Sequence, residues 1–460
     1  MSKRTRYSQT ATDAVGDTGG APQRRRTKRI VSSAAAVSAV GLLAAVGGAA
    51  AANRPAATKS HASVTTITWS ASPITTSGPD PRKVLITDFE KAYPNIKVSL
   101  ISAPTNTDTN ESGLETQIAG GSASPDVFMG DVVWPAVFGA HGLAYPLSKS
   151  LPSSYFSTFA NGLVAGATYK GSVYGAPFFE DQGFLYYRKD LLKKEGLSVP
   201  TTWSELVSDS EKLQKAKLIK YGFVWEGADY EGATCDFMEY LTDAGGTVLN
   251  SSDTKSTLDS SAAIKALTFM RSLITSGVSP AAETTYQEPE AMDEFDNGDA
   301  AFLRNWDYAY STSQATGSKV IGDVGVAPLP TFSGSGPGYS NIGGWNLYIN
   351  PHSKNIPADI TFIKYMTGTA AQTVLATQFS EIPTNESVRS SAKVIAVNPV
   401  LATVPKTKLV ARPAQTPEYP KVSQAIYENV NEALAGSKSP TAAIQAASSA
   451  INTALSGSGL

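Results

Sequence analysis

From residue 64 onward, two hydrophobic periods take turns along the chain. Val64-Thr65-Thr66-Ile67-Thr68-Trp69 switches between polar and apolar side chains, the signature of a strand. Over 81–93, Val84, Leu85, Phe89 and Ala92 return at helical spacing until Pro94-Asn95 stops the helix. Residues 96–100 alternate again. A helix is predicted over 111–120, ending at Gly120-Gly121, and Pro125-Asp126-Val127-Phe128-Met129 is a short apolar strand followed by Gly130-Asp131. This β-α-β-α-β order predicts a mostly parallel sheet with helices on its faces. Ligands in such folds sit beyond the carboxyl ends of the strands, and Asp131 occupies that place.

The rhythm resumes further on. A helix is predicted over 204–215, a strand over 221–225, and an amphipathic helix over 262–276 with Ile264, Leu267, Phe269 and Ile274 inward. Residues 360–366 and 425–434 read as helices, 333–340 as a Gly/Ser/Pro loop, 54–63 as a flexible leader, and the tail beyond Ser456 as frayed. No repeat of solenoid period occurs, which leaves an adhesin or stalk without support.

A chain of 460 residues exceeds what one compact core usually holds, so two lobes are expected. With 42% hydrophobic and 17% charged residues, most of it can bury a core. Of 38 basic and 40 acidic side chains, residues 1–53 hold eight basic and two acidic ones, leaving a mildly acidic body. That balance speaks against nucleic acid as a partner. One cysteine, Cys235, precludes an internal disulfide, and three scattered histidines offer no zinc spacing. No cofactor is expected.

Arg24-Arg25-Arg26-Thr27-Lys28-Arg29 precedes an uncharged, Ala/Val/Gly-rich stretch that ends in Gly48-Ala49-Ala50-Ala51-Ala52. Basic, apolar and small-residue regions in this order describe a signal peptide over 1–53, or an uncleaved anchor, and place the body outside the cytoplasm. No cysteine lies near residue 50 to carry a lipid.

Several segments share a resemblance. They include Asp88-Phe89-Glu90-Lys91-Ala92-Tyr93-Pro94, Leu185-Tyr186-Tyr187-Arg188-Lys189-Asp190-Leu191-Leu192, Pro200-Thr201-Thr202-Trp203, Arg304-Asn305-Trp306, Val324-Gly325-Val326-Ala327-Pro328-Leu329-Pro330 and Gly343-Gly344-Trp345. In this order the chain resembles the family 1 extracellular solute-binding proteins of ABC sugar importers, and within them the trehalose/maltose-binding proteins. The resemblance implies an α/β, two-lobed periplasmic-binding-protein-like fold with a hinge and a ligand cleft between the lobes. Lobe one is expected over 64–176 and 326–368, and lobe two over 177–325 and 369–457. It further implies a monomer that captures a small sugar, a disaccharide such as trehalose or maltose, and delivers it to permease subunits in the membrane. The alternative is the same fold holding an oligosaccharide, an amino sugar or another polar solute such as glycerol phosphate.

A sugar needs carboxylates and amides for its hydroxyls and aromatic rings for its C–H faces. Asp131 suits the first task by position, and Glu226 and Tyr230 follow a predicted strand where they could meet hydroxyls. The resemblance adds Asp80 as the acid of the first loop. It puts Phe179 and Asp181 on the cleft, Trp306 on a sugar ring with Tyr308 bonded to it, Gly344 and Trp345 against the ligand, and Arg412 within reach of several hydroxyls. Glu180 is expected at the surface, Glu231 as a helix cap or a support, and Trp69, Trp134 and Trp203 inside the lobes. Catalysis finds no footing: there is no Gly-x-Ser-x-Gly elbow and no phosphate loop, and Glu180 and Asp181 are adjacent rather than facing.

Overall fold

The computed structural model describes residues 63–457, and the expected signal segment, the leader up to residue 62 and residues 458–460 of the tail lie outside the described residues. In chain order the strands are β1 (Thr65–Ala71), β2 (Ile96–Ser102), β3 (Val127–Asp131), β4 (Thr168–Tyr169), β5 (Ser172–Val173) and β6 (Ala176–Gln182). They continue with β7 (Phe184–Arg188), β8 (Tyr221–Val224), β9 (Ala300–Asn305), β10 (Val324–Ala327), β11 (Tyr339–Ile349), β12 (Ile382–Pro383) and β13 (Lys408–Val410).

Two sheets organise the molecule. The larger runs β12-β6-β11-β3-β1-β2 with β13 beside β11, and the smaller runs β10-β7-β9-β8. β1 pairs parallel with β2 and β3, as the βαβ rhythm predicts, but β11 enters antiparallel to β3 and β6. The larger sheet is therefore mixed, because β6 and β11 are long-range arrivals rather than links of the βαβ series.

Local chemistry explains the helix starts. Asp80 caps Pro81–Ala92 by accepting from Arg82 N, and Thr202 with Glu205 forms a capping box at Trp203–Lys215. Each sheet carries its own core. Trp69, Phe89, Phe178 and Phe362 pack on the larger one, and Trp203, Phe223, Phe237 and Phe302 on the smaller. The expectation that Trp69, Trp134 and Trp203 are buried agrees with this packing.

Two readings differ from the structure. In Ser261–Thr275 the fully buried face is Ala263, Ala266, Leu267, Met270 and Leu273, because small alanines let neighbouring helices approach closely, and the expected Ile264, Phe269 and Ile274 pack half-buried at the edge of the same core. Residues 177–182 and the helix Thr369–Gln378 were expected in lobe two. However, β6 belongs to the larger sheet, and Ala371 and Leu375 pack into its core. Val388, Val394 and Val400 pack with Val224 and Leu303 of the smaller sheet.

Candidate ligand-binding cleft

The cleft is built around β11. Trp345 lies in register with Asp131 on β3 and with Phe179 on β6. Gly344 has φ +119°, and a Cβ there would stand 2.5 Å from the Phe179 carbonyl oxygen. A Cβ on Gly343 would come within 2.9 Å of the Trp306 ring. Two glycines thus let β11 seat against β6 and against an indole, which no larger residue allows.

A cavity of about 280 Å³ opens here, close to the lower bound of about 300 Å³ for small-molecule clefts. Asp131, Phe179, Asp181, Gly344 and Trp345 line it from the larger sheet. Tyr230, Trp306 and Tyr308 line it from the smaller sheet's side, and Arg412 closes one wall. The loop 72–76 that follows β1 also reaches the cavity.

Arg412 is buried and forks onto Asp131, Nη2 to Oδ1 at 2.7 Å and Nη1 to Oδ2 at 3.0 Å. Its Nη1 also donates to Glu231 Oε1 at 2.7 Å. Glu231 accepts further bonds from the Tyr419 and Ser423 hydroxyls. Burial pushes Glu231 up to about 7, although Arg412 opposes the shift. The Arg412 Nε and the Thr107 hydroxyl, both buried at the cavity, find no partner among the described residues.

Trp306 is fixed from behind. The Arg304 guanidinium lies 4.1 Å from the centre of its ring. Arg304 is itself held by Glu226 at 2.6 Å, Glu239 at 2.7 Å and Asp236 at 2.9 Å, all buried. The Tyr186 hydroxyl donates to the Trp306 carbonyl at 2.7 Å.

Asp181 is buried, and its Oδ1 meets no N–H or hydroxyl donor among the described residues, its carboxyl neighbours being the Asp307 and Glu381 side chains. Burial, reinforced by the charges of Asp131 and Glu180, pushes its carboxyl up to about 7. Behind it stand Asp307 and Glu381, with one oxygen of each acid within 4.8 Å of the others.

The model of the bacterial extracellular solute-binding proteins matches residues 73–373. A probable ABC transporter-binding protein of Deinococcus radiodurans is 35% identical over 76% of this chain and 84% of its own. The chain belongs to the bacterial extracellular solute-binding protein family. The solute-binding protein also resembles the maltose-bound MalE3 of T. maritima at TM-score 0.79 and 35% identity, covering 85% of this chain and all of that one. A Thermotoga lettingae ABC transporter solute-binding protein bound with α-D-tagatose matches at TM-score 0.77 and 26% identity, over 85% of this chain and 100% of that one. The fold is accordingly the two-lobed α/β fold of these binding proteins, and the chain is a transporter component rather than an enzyme.

Two residues expected at the site, Asp80 and Glu226, fall outside the cavity of the solute-binding protein, and Glu180 is placed differently from its expected surface position. Asp80 is absent from the lining because its carboxylate caps a helix and pairs with Arg82 at 2.9 Å. Glu226 is fully buried behind the wall, where it binds Arg304 and accepts from the Tyr230 hydroxyl at 2.7 Å. Glu180 is not at the surface but buried, ion-paired with Arg389. Conversely, Glu231, Thr107 and Glu288 line the cavity, and Arg304 supports it without touching it. Glu231 starts the helix Glu231–Asp243, the one local signal that pointed to it.

Proposed function

We propose that this solute-binding protein captures a sugar, a disaccharide of the maltose or trehalose type, and delivers it to the permease of an ABC transporter. The observation that carries the reading is the pairing of ring faces with unmet polar atoms in one cavity. Phe179, Trp306 and Trp345 offer aromatic surface to C–H faces, while Thr107 Oγ1, Asp181 Oδ1 and Arg412 Nε lack partners that sugar hydroxyls can supply. The maltose and tagatose bound by the two similar structures support the same class. An anionic solute such as glycerol phosphate fits poorly beside Asp181, Glu231 and Glu288.

In this reading, the residues on the cavity form the sugar site and the lobes close as a hinge. The chain passes between lobes at Gly183, which joins β6 of the larger sheet to β7 of the smaller, and again between β10 and β11. Export by the basic and apolar segment of 1–53 brings the protein to the sugar. A thermal-shift panel with maltose, trehalose, sucrose, cellobiose and glycerol 3-phosphate tests the assignment. A rise in melting temperature with a disaccharide and none with the phosphate is expected, and the reverse order would overturn the reading.

A further inference from the structure

We propose that the sugar taken by this cleft carries a protonated amine, so that its ligands are amino sugars and their disaccharides. This rests on the sugar reading above and narrows it.

Acids outnumber bases on the cavity wall. The acids on the cavity wall are Asp131, Asp181, Glu231 and Glu288, and the basic residue there is Arg412. Arg412 is already matched, its terminal nitrogens lying on Asp131 and Glu231 at 2.7 to 3.0 Å. The guanidiniums behind Trp306 and on Glu180 are also committed, Arg304 to Glu226, Asp236 and Glu239, and Arg389 to Glu180. Asp181 is left without a cation.

Its neighbours deepen the deficit. Asp307 and Glu381 are fully buried against Asp181, and apart from the Asp181 carboxyl neither oxygen of Glu381 finds a partner among the described residues. The Asp307 Oδ2 accepts from Ile382 N at 2.7 Å, but its Oδ1 finds none. Three buried carboxyls in contact hold protons between them or face a positive charge. A sugar hydroxyl gives Asp181 one donor and leaves the three acids to share protons among themselves. An ammonium gives three donors and a charge together. The Trp345 ring on the same cavity also favours a cation over its face.

Calorimetry on the whole protein at neutral pH decides this with matched pairs: 2-amino-trehalose against trehalose, and the β-1,4 glucosamine dimer against cellobiose, with the N-acetylated dimer as an uncharged control. The amine of each pair is expected to bind at least about tenfold more tightly, as a charge-assisted bond should. Asp181→Asn, which keeps the shape and removes the charge, brings each pair to parity. Glu381→Gln, which lies off the cavity wall, narrows the gap and carries the test if the first variant fails to fold, as its melt would show. If the neutral sugars bind as well as or better than the amines, this inference falls and the sugar reading stands. If no sugar of either pair binds, both fall. A melt raised by calcium chloride alone and lost in Asp181→Asn, without amine preference, would assign the charge to a metal ion and also overturn the proposal.

Discussion

Arg412 and Asp131 meet through both ends of the guanidinium, at 2.7 and 3.0 Å. Asp131 ends β3 of the larger sheet, whereas Glu231, on the other side of Arg412, starts a helix packed on the smaller sheet's core. A single arginine therefore ties the two lobes at the wall of the cleft. A bidentate fork fixes orientation as well as distance, which a lysine cannot do.

Arg412→Ala strands Asp131 and Glu231 as buried acids. Breaking a buried pair by removing one partner costs about 3–5 kcal/mol, so a clear drop in the urea midpoint is expected. Arg412→Lys should recover little of it. A midpoint equal to that of the parent protein would mean the fork does not hold the lobes.

Asp80 makes the opposite case. Its carboxylate accepts from Arg82 N at 3.0 Å at the start of a helix, outside the cavity. Asp80→Ala should cost about 1 kcal/mol of stability, the usual worth of an N-cap. Sugar affinity should not change, and a weakened affinity with an unchanged melt would return Asp80 to the site.

These two residues mark what was legible in the sequence. Local signals sufficed where one segment decides the outcome. The strand β1, the helix Pro81–Ala92 and the position of Asp131 at a strand end all follow from period and punctuation. Contacts between distant segments were not legible. Arg304 draws in Glu226, Asp236 and Glu239 across a sheet and a helix, and Glu180 reaches Arg389 from another part of the chain. Nothing in Trp225-Glu226-Gly227 tells a buried ion pair from a ligand contact, because both need an acid after a strand. In Ser261–Thr275 the large side chains mark the core side, but the centre of the buried face lies on Ala263 and Ala266, since alanine faces a close-packed neighbour as readily as leucine faces an open one.

Stability should fall as the solution is made more alkaline. Burial raises Asp296 and Asp359 from an ordinary 3.8 to about 7, and Glu231 from 4.5 to about 7. In the folded state these acids keep protons that the unfolded chain has released. Between the unfolded and folded values the native state therefore binds more protons, and stability decreases with rising pH. The melting temperature of the ligand-free protein is expected to decline steadily from about pH 5 to about pH 8. A melt that climbs over that range would contradict these burial effects.

In the proposed site the sugar lies on the face of Trp345. This indole is partly buried, stands in register between Asp131 and Phe179, and lines the cavity. Truncation to alanine removes the ring area without stranding a charge. The decisive measurement is calorimetric titration of Trp345→Ala and the parent protein with the disaccharide that shifts the melt most, alongside the ligand-free melt of both. The expected result is one site per chain, a loss of at least about tenfold in affinity, or about 1.4 kcal/mol, and a nearly unchanged melt. A large loss of stability with affinity intact would show that the ring only packs the core and that the sugar does not lie on it.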